Sequence, residues 1–340
     1  QALDRREMEG SGNIIRSIIA VTLFFEITGI FLLLLVFVPD FGWDKGMWLA
    51  IFHSISAWNN AGFSLFSNSL VDYNSSALLV FTISGLVIFG GIGYQVILEM
   101  FFWLQDRLRR RPRNMLLSLD YKVAVSTTIF LLFLGFLGFF LVEVRNIETL
   151  KNLSFRSQFL AAWFQSMTTR TAGFNSIDIG GMTTAGLFIT IAFMFVGASP
   201  GGTGGGMKTT TIRVLTSCTK SILQGKQEVL LYERRIAVSL ILKAVGVIVG
   251  SVTAVIICTI LISITDPKFE FIKILFEVVS AYATVGLSTG ITSDFSIWGK
   301  LVLILTMYIG RVGVLLLMSA VLGDPKPTNI NYPEEDLLVG

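Results

Sequence analysis

Apolar residues run almost without interruption over 16 to 38, 77 to 103, 122 to 143, 183 to 197, 236 to 263 and 298 to 322, and polar residues collect between these runs. Leu, Ile, Val and Phe occupy every side of each run, which is the pattern of a helix set in lipid rather than of an amphipathic surface helix. Most runs reach the ~20 helical residues that a hydrocarbon core requires, and the fourth is cut short by glycines. Six membrane crossings are predicted. Three further apolar stretches of 10 to 13 residues lie on one side of the membrane, after the first, third and fifth runs. They are too short to cross, so each is predicted to be a re-entrant half-helix.

Composition agrees: 53% of the residues are hydrophobic and 14% charged, with mean hydropathy +0.73, a balance that excludes an ordinary soluble domain. Lys and Arg orient the chain. Fifteen fall in the segments represented by Arg5, Arg107, Arg111, Lys122, Arg213, Arg235 and Lys326, and seven in those represented by Lys45, Arg145, Lys268 and Lys300. The richer side is cytoplasmic, which places both ends of the chain inside the cell. The net charge of +3 follows from this bias and points to no nucleic-acid partner. Cys218 and Cys258 lie apart, one on a cytoplasmic stretch and one in an apolar helix, against a disulfide framework. The first residue is Gln, so more chain is expected upstream.

An internal repeat organises the chain. "FHSISAWNNAGFS" (52 to 64), "WFQSMTTRTAGFN" (163 to 175) and "FEVVSAYATVGLS" (276 to 288) each open on an aromatic residue and place Gly ten positions later. The glycines, Gly62, Gly173 and Gly286, are 111 and 113 residues apart. Each lies between a half-helix and a returning helix, so an all-α membrane protein of tandem helix–half-helix–helix units is predicted. The units span 1–113, 114–228 and 229–323, followed by a cytoplasmic tail, 324–340. Three segments do not close a four-fold ring, so a further unit of about 100 residues is expected before Gly62 by the same period.

Non-helical backbone at membrane depth is tolerated only where it is buried in protein or lines water. Gly adopts angles closed to other residues and lets consecutive carbonyls turn to one side, where a ring of them replaces the water around a cation. Each half-helix also directs its negative C-terminal end inward, which favours a cation. The candidate ion-binding residues are Asn60, Ala61, Gly62 and Phe63; Thr171, Ala172, Gly173 and Phe174; and Thr284, Val285, Gly286 and Leu287. One such segment alone reads as an ordinary turn at a helix end; three in register do not.

In "GASPGGTGGGMKTTT" (197 to 211), Pro200 lacks an amide donor, and Gly201, Gly202, Gly204, Gly205 and Gly206 each cost a helix ~1 kcal/mol, so a break is predicted there. A phosphate-binding loop is the rival reading. It fails because Met207 stands where Gly should precede Lys208 and because no strand comes before it.

These segments, with "YIGRVG" and "NINYPEEDLLVG", resemble the Trk/Ktr/HKT superfamily of potassium transporters, most closely the membrane subunit of bacterial Ktr systems. The likeness covers essentially the whole chain as the family's second, third and fourth repeats. It implies four repeats around one pseudo-four-fold K+ pore, with the glycines of the filter loops needed for selectivity. It implies a bacterial plasma-membrane transporter rather than an enzyme, K+ as the transported ion with room for Na+ as a regulator, a homodimer, and a cytoplasmic ring of nucleotide-binding regulatory subunits. The basic segments 103 to 122 and 213 to 235 would offer that ring a docking face. It also assigns gating to the broken stretch (Pro200, Gly201, Gly202, Thr203, Gly204, Gly205, Gly206, Lys208) and to Arg311. A secondary transporter with alternating access at a midplane cation site is the alternative, and a non-transporting receptor a weaker one; half-helices that all enter from the same side favour the pore.

Arg311, mid-helix in "MYIGRVGVLL", is unfavourable in lipid by at least ~2.5 kcal/mol and so faces protein or water. It reads as a positive barrier below the filter, or as a structural ion pair or cap on loop carbonyls. Arg170 holds either backbone carbonyls of the filter segment or an acidic neighbour. Glu26 reads as the partner of a neighbouring repeat's cation before an ion ligand. Lys243 snorkels to the inner face. His53 has no second His or Cys nearby, against a metal site. "RLRRRPR" (107 to 113) is a topology anchor, with anionic lipid as a secondary contact.

Overall fold

The computed structural model describes residues 2–108, 117–226, 228–314, 316, 317 and 319, with side chains from Ile15 onward. Arg109 to Arg113 of the basic run, Lys326 and the tail 324–340 lie outside these residues. Among the described residues the chain runs three times through the same order. Long helices α1 (Ala2–Phe41), α5 (Leu119–Glu143) and α9 (Val238–Thr265) are each followed by a short helix, α2 (Trp43–Trp58), α6 (Phe155–Thr168) or α10 (Phe271–Tyr282). A Gly loop comes next, and then a returning helix, α3 (Ala77–Ile92), α7 (Thr184–Phe195) or α11 (Ile297–Val312). Two more helices, α4 (Tyr94–Leu108) and α8 (Thr209–Leu223), extend the first two returns. The face on which the short helices begin is the outer one in the orientation expected from Lys and Arg.

Three helices are long and apolar enough to cross a membrane unbroken: Ile15–Phe41, Leu119–Glu143 and Val238–Thr265. Their exposed flanks carry Phe24, Phe31 and Leu35; Ile129, Phe130 and Phe133; and Ile256, Ile260 and Ile264, as lipid contact requires. The returning helices depart from the six continuous runs expected from sequence. The run 77 to 103 bends by 105° at Gly93, whose φ is +97° and where a methyl group would meet the Pro200 carbonyl oxygen at 2.6 Å. The stretch 183 to 197 stops at Phe195, and α11 stops at Val312 before Gly313, with φ +88°. A positive φ at Gly93 and Gly313 cannot continue a right-handed helix, and the second return turns extended at Val196 (φ −91°), so all three returns are interrupted.

Packing holds the short helices in place. Each packs on its unit's long helix, and α6 and α10 also pack on the preceding unit's returning helix, α3 and α7. Ser54 donates to the Glu26 carbonyl (2.7 Å), Ser166 to the Leu132 carbonyl (2.7 Å) and Tyr282 to Ser251 Oγ (2.5 Å). Gly29 and Gly135 face Ser54 and Ser166, leaving no room for a side chain at either crossing. Trp163 Nε1 donates to Ser84 Oγ (3.1 Å), joining α6 to α3.

Carboxylates at the outer ends of the long helices brace the chain where it re-enters a helix beyond each loop. Glu143, fully buried, accepts from Asn146 Nδ2 (2.7 Å), Thr149 Oγ1 (2.7 Å), Thr183 N (3.0 Å) and Thr183 Oγ1 (2.6 Å). Thr183 is the N-cap of α7. Asp266 accepts from the amide (2.7 Å) and hydroxyl (2.8 Å) of Ser296, the N-cap of α11. Asp40 accepts from Tyr73 (2.9 Å), just before the Ser76 cap of α3. Because Glu143→Ala would take the shared acceptor from four donors, one of them on buried Thr149 and the others half-buried, it is expected to lower the stability of the purified protein by ~2–4 kcal/mol, read as a fall in the thermal unfolding midpoint in detergent. An unchanged midpoint would mean that the clamp carries no load.

Candidate ion pathway

Each half-helix ends four or five residues before its glycine, and the chain then alternates hand. Asn60, Thr171 and Thr284 have φ of +50°, +67° and +53°, and Gly62, Gly173 and Gly286 have +71°, +83° and +92°. The residues between them, Ala61, Ala172 and Val285, are not left-handed. In an extended strand successive carbonyls point to opposite sides; reversing the hand at alternate residues turns them to the same side. Such angles cost ~1–3 kcal/mol at a non-Gly residue, so the surroundings must hold them.

The surroundings do so with side-chain hydroxyls. Ser56 donates to the Phe63 carbonyl (2.8 Å), Thr168 to that of Phe174 (2.5 Å) and Ser280 to that of Leu287 (2.6 Å). Amides just before the glycine turn back to the half-helix: Ala61 to Ser56 O (2.9 Å), Ala172 to Thr168 O (3.0 Å) and Val285 to Ser280 O (2.9 Å). Farther out, His53 lies within hydrogen-bonding distance of the Ser64 hydroxyl (3.0 Å) and the Leu49 carbonyl (2.8 Å). Glu277, nine residues before its glycine as His53 is, accepts from Ser288 Oγ (2.9 Å), Thr289 N (2.8 Å), Thr289 Oγ1 (3.0 Å) and Thr292 Oγ1 (2.6 Å).

The twelve residues singled out from sequence therefore divide. The carbonyls of Phe63, Phe174 and Leu287 are taken up by the tethers. The nine carbonyls of Asn60, Ala61 and Gly62, of Thr171, Ala172 and Gly173, and of Thr284, Val285 and Gly286 accept no hydrogen bond from any described residue. Backbone carbonyls left without partners inside a protein call for another ligand. The three loops also abut. A methyl group on Gly62 would lie 2.5 Å from the Ala172 carbonyl oxygen and 2.8 Å from Gly173 Cα, and one on Gly173 would overlap the Val285 carbonyl oxygen. On Gly286 it would meet only Gly173 Cα, at 3.8 Å. A cavity of about 310 Å3 opens on this side, bordered by Ala61 and Phe63 of the first loop and by Thr284 to Ser288 of the third.

The Gly-rich stretch lies directly beneath. Val196 and Met207 bridge to form a neck, with Gly197 N donating to Met207 O (2.8 Å) and Ala198 N to Gly205 O (3.4 Å). The rest docks on the bend between α3 and α4: Ser199 N donates to Gly91 O (3.0 Å) and Thr203 N to Gly90 O (3.1 Å). Side chains at Gly204 and Gly205 would collide with Thr171 and Thr284, and one at Gly206 would press on Ala283. The break expected from the glycines and Pro200 is present, and the loop closes against the inner side of the Gly loops.

Cationic side chains hold this loop by its carbonyls. Arg311 Nη1 donates to Thr203 O (2.7 Å) and Lys208 Nζ to Gly204 O (2.8 Å), two consecutive residues. Arg170 Nη2 donates to Gly197 O (3.3 Å), a carbonyl of the Gly-rich loop. Glu26 accepts from Asn59 Nδ2 (3.2 Å) and not from a cation as expected: the nearby half-helix end presents an amide. Lys243 is exposed.

The three tethering hydroxyls and the bends at Gly93 and Gly313 were not anticipated. Ser-Ala-Trp at 56 to 58 and Ser-Ala-Tyr at 280 to 282 carried a signal for the first, and Gly90/Gly93 against Gly310/Gly313 for the second. Gly90 lies against the Trp58 carbonyl as Gly310 does against that of Tyr282.

Comparison with known proteins identifies the family. The model of the family described as "TrkH: Cation transport protein" matches residues 2–328. The chain is 38% identical over 341 residues to the Ktr system potassium uptake protein B of Vibrio alginolyticus, covering 100% of this chain and 73% of the relative. It is 36% identical to the potassium/sodium uptake protein NtpJ of Enterococcus hirae, covering 100% and 74%, and 33% identical to the Ktr system potassium uptake protein B of Bacillus subtilis, covering the same shares. The crystal structure of the potassium transporter TrkH from Vibrio parahaemolyticus shares the fold, with a TM-score of 0.73 at 18% identity over 92% of this chain and 64% of that one. With the family model spanning nearly its whole length, the chain belongs to the TrkH family of cation transport proteins.

Proposed function

We propose that this chain forms a K+ uptake pathway across the plasma membrane with a channel-like filter. The observation that carries the reading is the set of nine carbonyls without partners, on three abutting loops that each continue from the C-terminal end of a half-helix. Carbonyl oxygens replace a cation's hydration shell, and each half-helix contributes about half a negative charge at its C-terminal end. The relatives named as potassium uptake proteins supply the ion. The cavity between the third and first loops is where a fourth segment would complete a pseudo-four-fold ring.

In this reading the loop from Gly197 to Lys208 is the gate, drawn closed, and Arg311 both fastens it and sets a positive charge in the path. A helix with flexible glycines and no continuous ladder is suited to an order-to-displacement switch of a few kcal/mol. Both ends of the chain face the cytoplasm, and two copies form a homodimer in contact with membrane lipid. The relatives are named as members of a Ktr system, and we assign a cytoplasmic nucleotide-binding ring as the regulatory partner, docking on 103 to 122 and 213 to 235. Na+ enters as a regulator.

Gly286→Ser tests the filter. The site has space for the side chain but a φ of +92°, so the variant is expected to fold and to turn the local carbonyls. Discrimination of K+ from Na+ in cellular uptake should fall by about tenfold, equivalent to ~1.4 kcal/mol of differential binding. Unaltered selectivity would remove Gly286 from the filter. Arg311→Gln tests the gate: loss of a charge-assisted bond of ~1.5–3 kcal/mol should raise basal K+ flux in proteoliposomes by about tenfold or more without changing the K+/Na+ ratio. A folded variant with wild-type flux would contradict the barrier and the latch together.

A further inference from the structure

We propose that Arg170 is a positioning residue that clamps the neck of the gating loop to the second of the three Gly loops, so that opening moves the tip of the loop while the neck and the filter stay in register. The inference rests on the gating reading above.

Its place is the first argument. Arg170 is three residues before Gly173, just past the end of α6, and is 7% exposed. The corresponding residues of the other units are Asn59 and Ala283, so this charge is not part of what the three loops share. Its partner is the second. Gly197 O, which Arg170 Nη2 reaches at 3.3 Å, belongs to the residue whose own amide closes the neck on Met207.

The third argument is the scarcity of anything else. The ion pairs among the described residues are Arg235–Glu228 and Lys273–Glu270, so no carboxylate pairs with Arg170. Its Nη1 has no protein partner, and neither has Thr128 Oγ1; both residues line a cavity of about 10 Å3 that also borders Ala198. That volume holds at most one water molecule. A buried cation with so few partners is unfavourable, and breaking its bond to Gly197 would leave it poorer still. States in which the neck leaves α6 are therefore disfavoured. At the tip the holder is exposed: Arg311 donates to the Thr203 carbonyl from a side where water can take that carbonyl's place, and half-buried Lys208 donates to that of Gly204.

The roles of Arg170 and Arg311 are thus separable. Releasing Arg311 frees the tip alone, whereas releasing Arg170 frees the neck and the filter loop behind it. In proteoliposomes containing the full-length protein, Arg170→Gln is expected to raise basal K+ flux severalfold and to lower the K+/Na+ ratio severalfold in the same preparation. Arg170→Lys, which keeps a cationic donor, should restore both. Arg170→Gln with wild-type flux and ratio would overturn the clamp. If that variant does not fold, hydrogen exchange on Arg311→Gln decides. The Gly197 and Ala198 amides should stay protected while those of Gly202 and Thr203 exchange faster; equal exchange along the loop would overturn the proposal. Failure of Arg311→Gln to raise flux would instead strike the gating reading itself.

Discussion

The hydroxyls of Ser56, Thr168 and Ser280 each donate to the carbonyl one residue past a glycine, and that bond determines which carbonyls of the loop are left without a partner. It anchors the far end of each loop to the half-helix that begins it. Of the four or five residues between half-helix and tethered carbonyl, the last three alternate in hand, with positive φ at the first and third of them. The tether and the amides of Ala61, Ala172 and Val285, which turn back to the half-helix, together hold the strained angles at Asn60, Thr171 and Thr284. Without the glycine, the neighbouring loop could not approach: Gly62 touches Ala172 and Gly173, and Gly173 touches Val285.

The same closeness governs the layer below. Glycines in the interrupted return of the second unit pack against the side chains of Thr171 and Thr284, the very residues whose left-handed angles shape the loops above. The three Gly loops and the Gly-rich stretch therefore share a surface. Lys208 and Arg311 occupy carbonyls of that stretch, oxygens of the kind that the loops above leave without partners. The interruptions at Gly93 and Gly313 lie in the neighbouring returns. The first makes room for Pro200, and Gly90 beside it lets the loop reach the end of α2.

Much of this was legible in the chain itself. Membrane class, the three units, the half-helices and the break after Phe195 all come from apolar run length, from the spacing of Gly62, Gly173 and Gly286, and from Pro200 with its glycines. The features that escaped did so for physical reasons. A single glycine inside an apolar run is tolerated in many helices, so Gly93 and Gly313 announce no break in the sequence, and what packs beside Gly93 is Pro200, more than 100 residues away. The tethers escaped because Ser and Thr in a half-helix are as readily explained by bonds to the preceding turn, as at Thr190 and Thr259. Glu26 was assigned a charged partner because periodicity says where a side chain sits along a helix, not which residue another helix brings opposite.

The central claim is that carbonyls of the three Gly loops are the ion's ligands. Anomalous diffraction from crystals of the full-length protein grown in Rb+ or Tl+ tests it most directly. The account predicts peaks on the axis between residues 60–62, 171–173 and 284–286, within coordinating distance of their carbonyl oxygens and lost when K+ is restored in excess. Peaks confined to carboxylates such as Glu277, with none between the loops in a preparation that still takes up K+, would contradict it.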